Sequence, residues 1–160
     1  METLFENEYK METKYFKEYV YNILCKKIII TGFIIALIGI IFFCFTSNQY
    51  SYIVLTVSII AFFTSILTPI ITIKQLEKSE KTLNNGTIEK TNIKFSNNIV
   101  MNEGKVHLEF EYSQIIKIEC TKSFIVLKTS HQSAILVYRN GFLIGDETEF
   151  LKFIKERTNK

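Results

Sequence analysis

The chain has 160 residues, with 19 basic and 16 acidic side chains, and 48% of its residues are hydrophobic. This length fits one or two small modules, and the near balance of charge argues against a nucleic-acid-binding protein. The apolar residues are concentrated between Ile28 and Ile73, a stretch that contains no Asp, Glu, Lys, Arg or His.

The first region, residues 1–27, is predicted to contain a strand followed by an amphipathic helix. Near the start of the chain, Phe5, Asn7, Tyr9 and Met11 alternate with Glu6, Glu8 and Lys10. This alternation indicates a short strand that could add to a distant sheet. From Tyr15 to Leu24 the apolar spacing becomes helical. That helix either packs against the C-terminal domain, which we favour, or lies on a bilayer surface.

Residues 28–73 are predicted to form a transmembrane helical hairpin. The polar residues 46–49 divide the apolar run into two spans, 28–45 and 50–73. A helix rises about 1.5 Å per residue and the bilayer core is about 30 Å thick, so roughly 20 residues suffice for one crossing. Each span has close to that length.

Basic residues flank the hairpin at its two outer ends. Lys26 and Lys27 precede the first span, and Lys74, Lys78 and Lys81 follow the second, whereas the intervening turn has none. Because such residues are retained on the cytoplasmic side, we expect a multi-pass protein of the cytoplasmic membrane with both termini inside the cell. The same lysines could contact anionic lipid headgroups, each worth about 1 kcal/mol, although topology alone explains them.

Each span also carries one face of small residues, where helix backbones can approach closely. These are Gly32, Ala36 and Gly39 in the first span, and Ser58, Ala61 and Ser65 in the second. Packing inside one hairpin is favoured over packing between copies. Neither face has an ionisable residue, which argues against a proton or ion pathway through the monomer.

Residues 74–87 are a juxtamembrane connection in which the second helix continues until Asn84-Asn85-Gly86 stops it. Residues 88–160 change to a period of two, clearest between Val106 and Tyr112, and predict an antiparallel meander of about five or six strands. A last helix begins after Asp146, with Glu149 three residues on as in a capping box. The fold class is therefore a membrane hairpin plus an α+β domain.

The chemically reactive residues predict no active site. His107 and His131 have no Cys, His, Asp or Glu at a metal-ligand spacing. A nucleophilic set of Cys120, His107 and Glu109 is disfavoured because Cys120 is expected to point into the core and His107 into water. We therefore expect no enzymatic activity, no cofactor and no metal. Arg139 is a possible contact for a phosphate or carboxylate ligand, with a solvated loop charge as the simpler interpretation.

Residues 95–156 resemble the C-terminal domain of the YcxB-like family of small bacterial membrane proteins. The resemblance lies in residues 108–115 (LEFEYSQI), 117–118, 122–127 (KSFIVL) and 134–142 (AILVYRNGF), and in the closing helix. Gln114 stands where the family usually has an acid, and Arg139 is what remains of a basic pair. The resemblance implies two membrane helices followed by a pleckstrin-homology-like sheet domain, and it implies no catalytic residue.

These observations favour a membrane-tethered cytoplasmic module that binds or scaffolds an unknown ligand. Its expected partners are the lipid bilayer and either another protein or a second copy of itself, without nucleic acid. Two alternatives remain: an immunity or stress-response protein that protects the membrane from a bacteriocin or toxin, and an accessory subunit of a membrane enzyme or transporter.

Overall fold

The computed structural model describes residues 3–46, 48–130 and 133–158. The chain separates into two compact units. The sheet unit combines the residues before Tyr19 with those from Lys78 onward, and the helical unit contains residues 19–77. The chain thus leaves the sheet unit once and returns to it.

The helical unit is dominated by two long helices. After strand β1 (Phe5–Lys10) and helix α1 (Thr13–Tyr19), a five-residue π-helical turn leads into α2 (Lys26–Phe45) and then α3 (Gln49–Leu83). The π turn interrupts the continuous helix that the apolar spacing predicts. At 1.5 Å per residue, α2 is about 30 Å long and α3 about 52 Å.

The described residues of the sheet unit form eight strands in two antiparallel sheets, closed by a C-terminal helix. The first sheet has the order β4-β3-β2-β1-β8 and the second β5-β6-β7. The remaining elements are β2 (Lys90–Phe95), β3 (Ile99–Glu103), β4 (Val106–Phe110), β5 (Lys117–Cys120), β6 (Phe124–Lys128), β7 (Ala134–Tyr138), β8 (Phe142–Ile144) and α4 (Glu147–Thr158). The predicted antiparallel domain with a closing helix is confirmed. The predicted meander of about five or six strands was wrong, because the described residues 90–144 form seven strands that divide between two sheets, and β1 separates β2 from β8.

Strand β1 is the only element before the long helices that joins a described sheet, and it lies inside that sheet. It pairs with β2 along its whole length, from Phe5 opposite Phe95 to Lys10 opposite Lys90. On its other edge it pairs with β8, and the Glu8 N–H donates to the Gly141 carbonyl at 2.8 Å. The first sheet therefore depends on residues from both ends of the chain.

A shared hydrophobic core lies between the two sheets and α4. Aromatic rings dominate its centre, where Phe150 of α4 is fully buried and lies 4.7 Å from Phe95 and 5.5 Å from Phe5 between ring centroids. Other fully buried members come from both sheets and the helix, among them Ile93, Ile99, Ile125, Leu127, Val137 and Ile154. Burial of such side chains contributes about 1.5–3 kcal/mol each.

The side chain of Asn7 joins the two sheets as a peptide group would. It is fully buried in β1, its Nδ2 donates to the Tyr138 carbonyl at 2.8 Å, and its Oδ1 accepts the Tyr138 N–H at 3.0 Å. A buried amide is tolerated only when its donor and acceptor groups are both satisfied, and here both are. Asn7 thus fixes the position of β7 relative to β1.

Local signals in the sequence set the ends of the long helices. Asn48 Oδ1 accepts two backbone N–H groups in the first turn of α3, at 3.0 and 3.1 Å. At the other end Asn85 has a positive φ of 55°, and the Gly86 N–H donates to the Lys81 carbonyl at 2.6 Å. This is a Schellman-type stop at the predicted position. Asp146 caps α4 through two N–H groups at 2.7 and 2.9 Å, as predicted.

Replacing Asn7 with Ala should destabilise the sheet unit by about 2–4 kcal/mol, because two buried backbone groups of Tyr138 lose their partner. Chemical unfolding of the full chain in detergent, followed by circular dichroism, measures the change. Asn98→Ala is the matched control, since it removes one exposed hydrogen bond to Glu109 and should cost less than about 1 kcal/mol. Equal losses for the two variants would contradict the bridging role.

Candidate functional site

The predicted small-residue faces lie against each other inside the hairpin. The Sγ atom of Cys25, the residue before α2, lies 3.9 Å from Thr72 Oγ1 of α3. Further along α2, Gly32 lies against Ser65 and Gly39 against Ser58. From one of these contacts to the next, the position moves seven residues forward along the first helix and seven residues backward along α3. A repeat of seven residues is the spacing of left-handed antiparallel helix packing.

The glycines are required by the closeness of this approach. A Cβ atom built on Gly32 would lie 2.5 Å from the Ser65 Cβ, and one on Gly39 would overlap the Ser58 hydroxyl. Gly32, Gly39 and Ala36 are buried, as are Ser58 and Ser65, while Ala61 is partly exposed. The structure therefore places the six residues on one interface within the hairpin.

Hydroxyl groups on α3 are satisfied within the helix. Ser58 Oγ donates to the Val54 carbonyl at 2.8 Å, and Thr64, Thr68 and Thr72 each donate to the carbonyl four residues earlier at 2.8–2.9 Å. Such bonds lower the cost of placing a hydroxyl in an apolar medium. The polar residues of α3 are thus compatible with lipid.

Most apolar side chains of the hairpin are exposed. In the most hydrophobic stretch of each long helix only 17% is buried. Large exposed residues include Leu37, Ile38, Tyr50 and Ile60, with 59–71% of their surface accessible. By length and composition both helices are able to cross a membrane. An exposed apolar surface of this extent needs a covering medium or partner.

Gly39→Leu should wedge the two helices apart, since overpacking costs about 1–3 kcal/mol. In a Thr72→Cys chain, the new thiol lies next to Cys25, and mild oxidation in membranes should join them. Protection of both thiols from a maleimide after oxidation measures the yield. Adding Gly39→Leu should lower that yield, whereas Ile38→Leu, at an exposed position on the same helix, should not. An unchanged yield in the Gly39 variant would contradict the packing.

The five flanking lysines are all exposed. Lys26 and Lys27 begin α2, and Lys74 lies on α3 about half a turn beyond Thr72, the residue level with Cys25. Lys78 and Lys81 continue on α3 towards its C-terminal end, where the helix dipole favours cations. Their exposed ammonium groups are free to meet headgroups or water.

Arg139 does not face open solvent. Its Nε lies 3.4 Å from Glu147 Oε1 in the first turn of α4, both side chains being about two-thirds buried, and its backbone N–H donates to the Ser123 carbonyl at 2.9 Å. An external anion would have to compete with Glu147 for the guanidinium. This pairing joins two residues that the sequence pattern did not connect.

Helix α1 is attached to the second sheet by polar and aromatic contacts. Glu18 accepts the Ser123 N–H at 2.7 Å and the Ser123 hydroxyl at 2.6 Å. Burial raises the pKa of Glu18, but hydrogen bonds from Ser123, Thr121 and the Lys122 backbone outweigh it and hold the pKa below its usual value. The Tyr15 hydroxyl also lies 2.9 Å from that of Tyr138. The beginning of the predicted amphipathic helix thus packs on the sheet.

A pair of acidic residues that no sequence pattern predicted lies where α3 ends against the first sheet. Glu103 accepts hydrogen bonds from Asn84 at 3.3 Å and Thr91 at 3.2 Å, which leaves its carboxylate held near Glu80. Burial and then the charge of Glu103 raise the pKa of Glu80 to about 7. Position 80 lies beyond the apolar part of α3.

This shift predicts a pH dependence of stability. The unfolded carboxyl has a pKa of about 4.3, so between pH 4.3 and 7 the folded state holds a proton that the unfolded state has released, and stability falls as pH rises. Glu80→Gln should remove most of this slope and stabilise the protein at pH 8 relative to the wild type. Urea unfolding at pH 5 and pH 8 measures the free energy of unfolding, with Glu156→Gln, at an exposed position of α4, as the control. The same slope in both variants would refute the assignment.

An open groove lies between the edge strand β5 and helix α4. It has a volume of about 560 Å³ and is lined by Ile116, Lys117, Ile118, Cys120, Leu151 and Lys155. Cys120 is exposed here, so the expectation that it points into the core was wrong. Cys120 is the last residue of an edge strand, and the side chains of the core do not cover it.

The described residues contain no group of three or more His, Cys, Asp or Glu side chains placed to hold a metal ion. His107 Nδ1 lies 2.6 Å from Asn102 Oδ1 on the neighbouring strand. His131 lies outside the described residues. The arrangement therefore offers packing surfaces and hydrogen-bonding edges as its candidate features.

Part of the sheet unit matches a known family model. Residues 95–154 match the model of the YcxB-like proteins. The resemblance seen in the sequence is thus confirmed for the C-terminal region, from the end of β2 through most of α4. Strand β1 and the two long helices lie outside the matched residues. No curated protein and no solved structure matches the chain.

Proposed function

We propose that this protein is a membrane-anchored scaffolding module without enzymatic activity. In this proposal α2 and α3 cross the bacterial cytoplasmic membrane as a hairpin, and the sheet unit and both termini lie in the cytoplasm. The observation that carries it is the pairing of β1, which precedes the hairpin, with β2 and β8, which follow it.

The pairing of β1 supports an even number of membrane crossings. A sheet cannot be divided by a bilayer, because strand edges in lipid leave backbone groups without partners. Both ends of the helical hairpin must then emerge on one side. The exposed lysines at those ends, Lys26, Lys27 and Lys74 among them, favour the cytoplasmic side.

We also propose that the sheet unit has a pleckstrin-homology-like fold, and its architecture supports this. Two antiparallel sheets share one core, and the helix α4 closes it through Phe150 and Ile154. A domain held at the membrane by two helices meets its partners at a raised effective concentration, so weak contacts suffice. Lipid headgroups and a protein partner or a second copy are the partners that fit this arrangement.

Thiol labelling of spheroplasts tests the proposed topology. In a Cys44→Ser chain that also carries Thr46→Cys, a membrane-impermeant maleimide should label position 46, in the turn, from outside. Native Cys120, which is exposed on the sheet unit, should be labelled only after the membrane is opened. A variant with Cys120→Ser identifies its signal.

The protein should also remain in the membrane after a carbonate wash. Labelling of Cys120 in intact spheroplasts would refute the cytoplasmic placement, and release by carbonate would refute the anchor. Release by carbonate would refute only the proposed anchor and would not contradict the fold described for the sheet unit.

A further inference from the structure

Strand β5 presents an open edge with unused hydrogen-bonding groups. It is an outer strand of the second sheet, whose opposite edge strand, β7, is joined to β1 by Asn7. The Thr121 N–H donates to the Phe124 carbonyl at 2.8 Å, which marks these two residues as a hydrogen-bonded pair. Because such pairs alternate in an antiparallel ladder, the backbone groups of Ile118 and Cys120 point away from β6.

Apolar surface adjoins this edge. Ile116 is 57% exposed, and the groove beside β5 is lined on its other side by Leu151 and Lys155 of α4. The groove has a volume of about 560 Å³, and Ile116 and three residues of β5, Lys117, Ile118 and Cys120, line it. An exposed edge of this kind is a template for pairing with another strand.

The side chains of β5 are complementary to β5 itself. Residues 116–120 read Ile-Lys-Ile-Glu-Cys, with Lys117 and Glu119 placed symmetrically about Ile118. Within one chain Glu119 forms ion pairs with Lys117 at 2.8 Å and with Lys128 at 3.2 Å, so a second copy would share charges that are already paired. We propose that β5 pairs antiparallel with β5 of a second copy across a two-fold axis at Ile118. Lys117 then faces the partner's Glu119, and Ile118 faces the partner's Ile118.

Backbone and side-chain patterns agree in this register. The outward backbone groups of Ile118 form a hydrogen-bonded pair with their symmetry equivalents, and the Lys117–Glu119 rungs become the closer non-hydrogen-bonded pairs, with Cα atoms about 4.5 Å apart. Opposite charges directly across such rungs are stabilising. The contact is isologous, so it closes as a dimer and does not propagate.

The inference rests on the proposed function in one respect: anchoring in a membrane supplies the effective concentration that a short edge contact needs. The labelling of spheroplasts tests the anchor without reference to pairing. A failure of either proposal is therefore recognised separately.

Charge reversal in full-length chains tests the pairing. Two copies with different tags are expressed together, and the fraction isolated together from membranes solubilised in mild detergent is measured. Lys117→Glu should lower it roughly tenfold, because two attractive rungs become repulsive. The double variant Lys117→Glu/Glu119→Lys restores complementarity and should return the fraction to within about twofold of the wild type. Glu109→Lys, a matched reversal on edge strand β4, should leave it unchanged.

Cysteine cross-linking tests the register, and it does not depend on the stability of the charge variants. In a Cys44→Ser/Cys120→Ser background, one tagged copy carries Lys117→Cys and the other Glu119→Cys. Oxidation should link the two copies, since the Cα separation of that rung suits a disulfide. Leu108→Cys in both copies, on β4, should give little product. The proposal is overturned if position 108 links as efficiently, if 117 and 119 do not link, or if the double charge variant stays as low as the single one.

Discussion

The hydrogen-bonded pairing of β1 with β2 and β8 is the constraint on which the rest of the structure depends. It places the first described strand of the chain inside a sheet whose other members all follow the long helices. The chain between β1 and β2 therefore leaves the sheet unit and returns to it. Its two ends return to one sheet, so the proposed membrane anchor requires an even number of crossings without any appeal to charge.

The packing of the two long helices suits an apolar environment. Small residues at intervals of seven let α2 and α3 approach closely, and intrahelical bonds satisfy the hydroxyl groups of α3. Their large apolar side chains then remain on the outside. This is the reverse of a soluble helical pair, in which large apolar residues fill the interface and polar ones face water.

Features that depend on local sequence were predictable. The two apolar helices, the stop at Asn85-Gly86, the Asp146 cap and the YcxB-like region each follow from a short pattern or from the resemblance. Features that depend on distant partners were not predictable. An alternating pattern assigns residues to faces but does not name the neighbouring strand, so it gave neither the place of β1 between β2 and β8 nor the bond from Asn7 to Tyr138, 131 residues away.

The candidate site divides in the same way. The small residues of the hairpin were visible as faces, and their mutual contact follows from the antiparallel turn between them. The partner of Arg139, the pairing of Glu80 with Glu103 and the exposure of Cys120 depend on where α3, α4 and β5 lie in three dimensions. Single-chain periodicity carries no information on those positions.

Hydrogen exchange of the full chain in native membrane vesicles tests the central claim most directly. If β1 lies inside the sheet, the amides of residues 5–10 should exchange as slowly as those of β2, since both strands are bonded on two edges. Exchange of residues 5–10 at the rate of an unstructured peptide, with β2 still protected, would contradict the account.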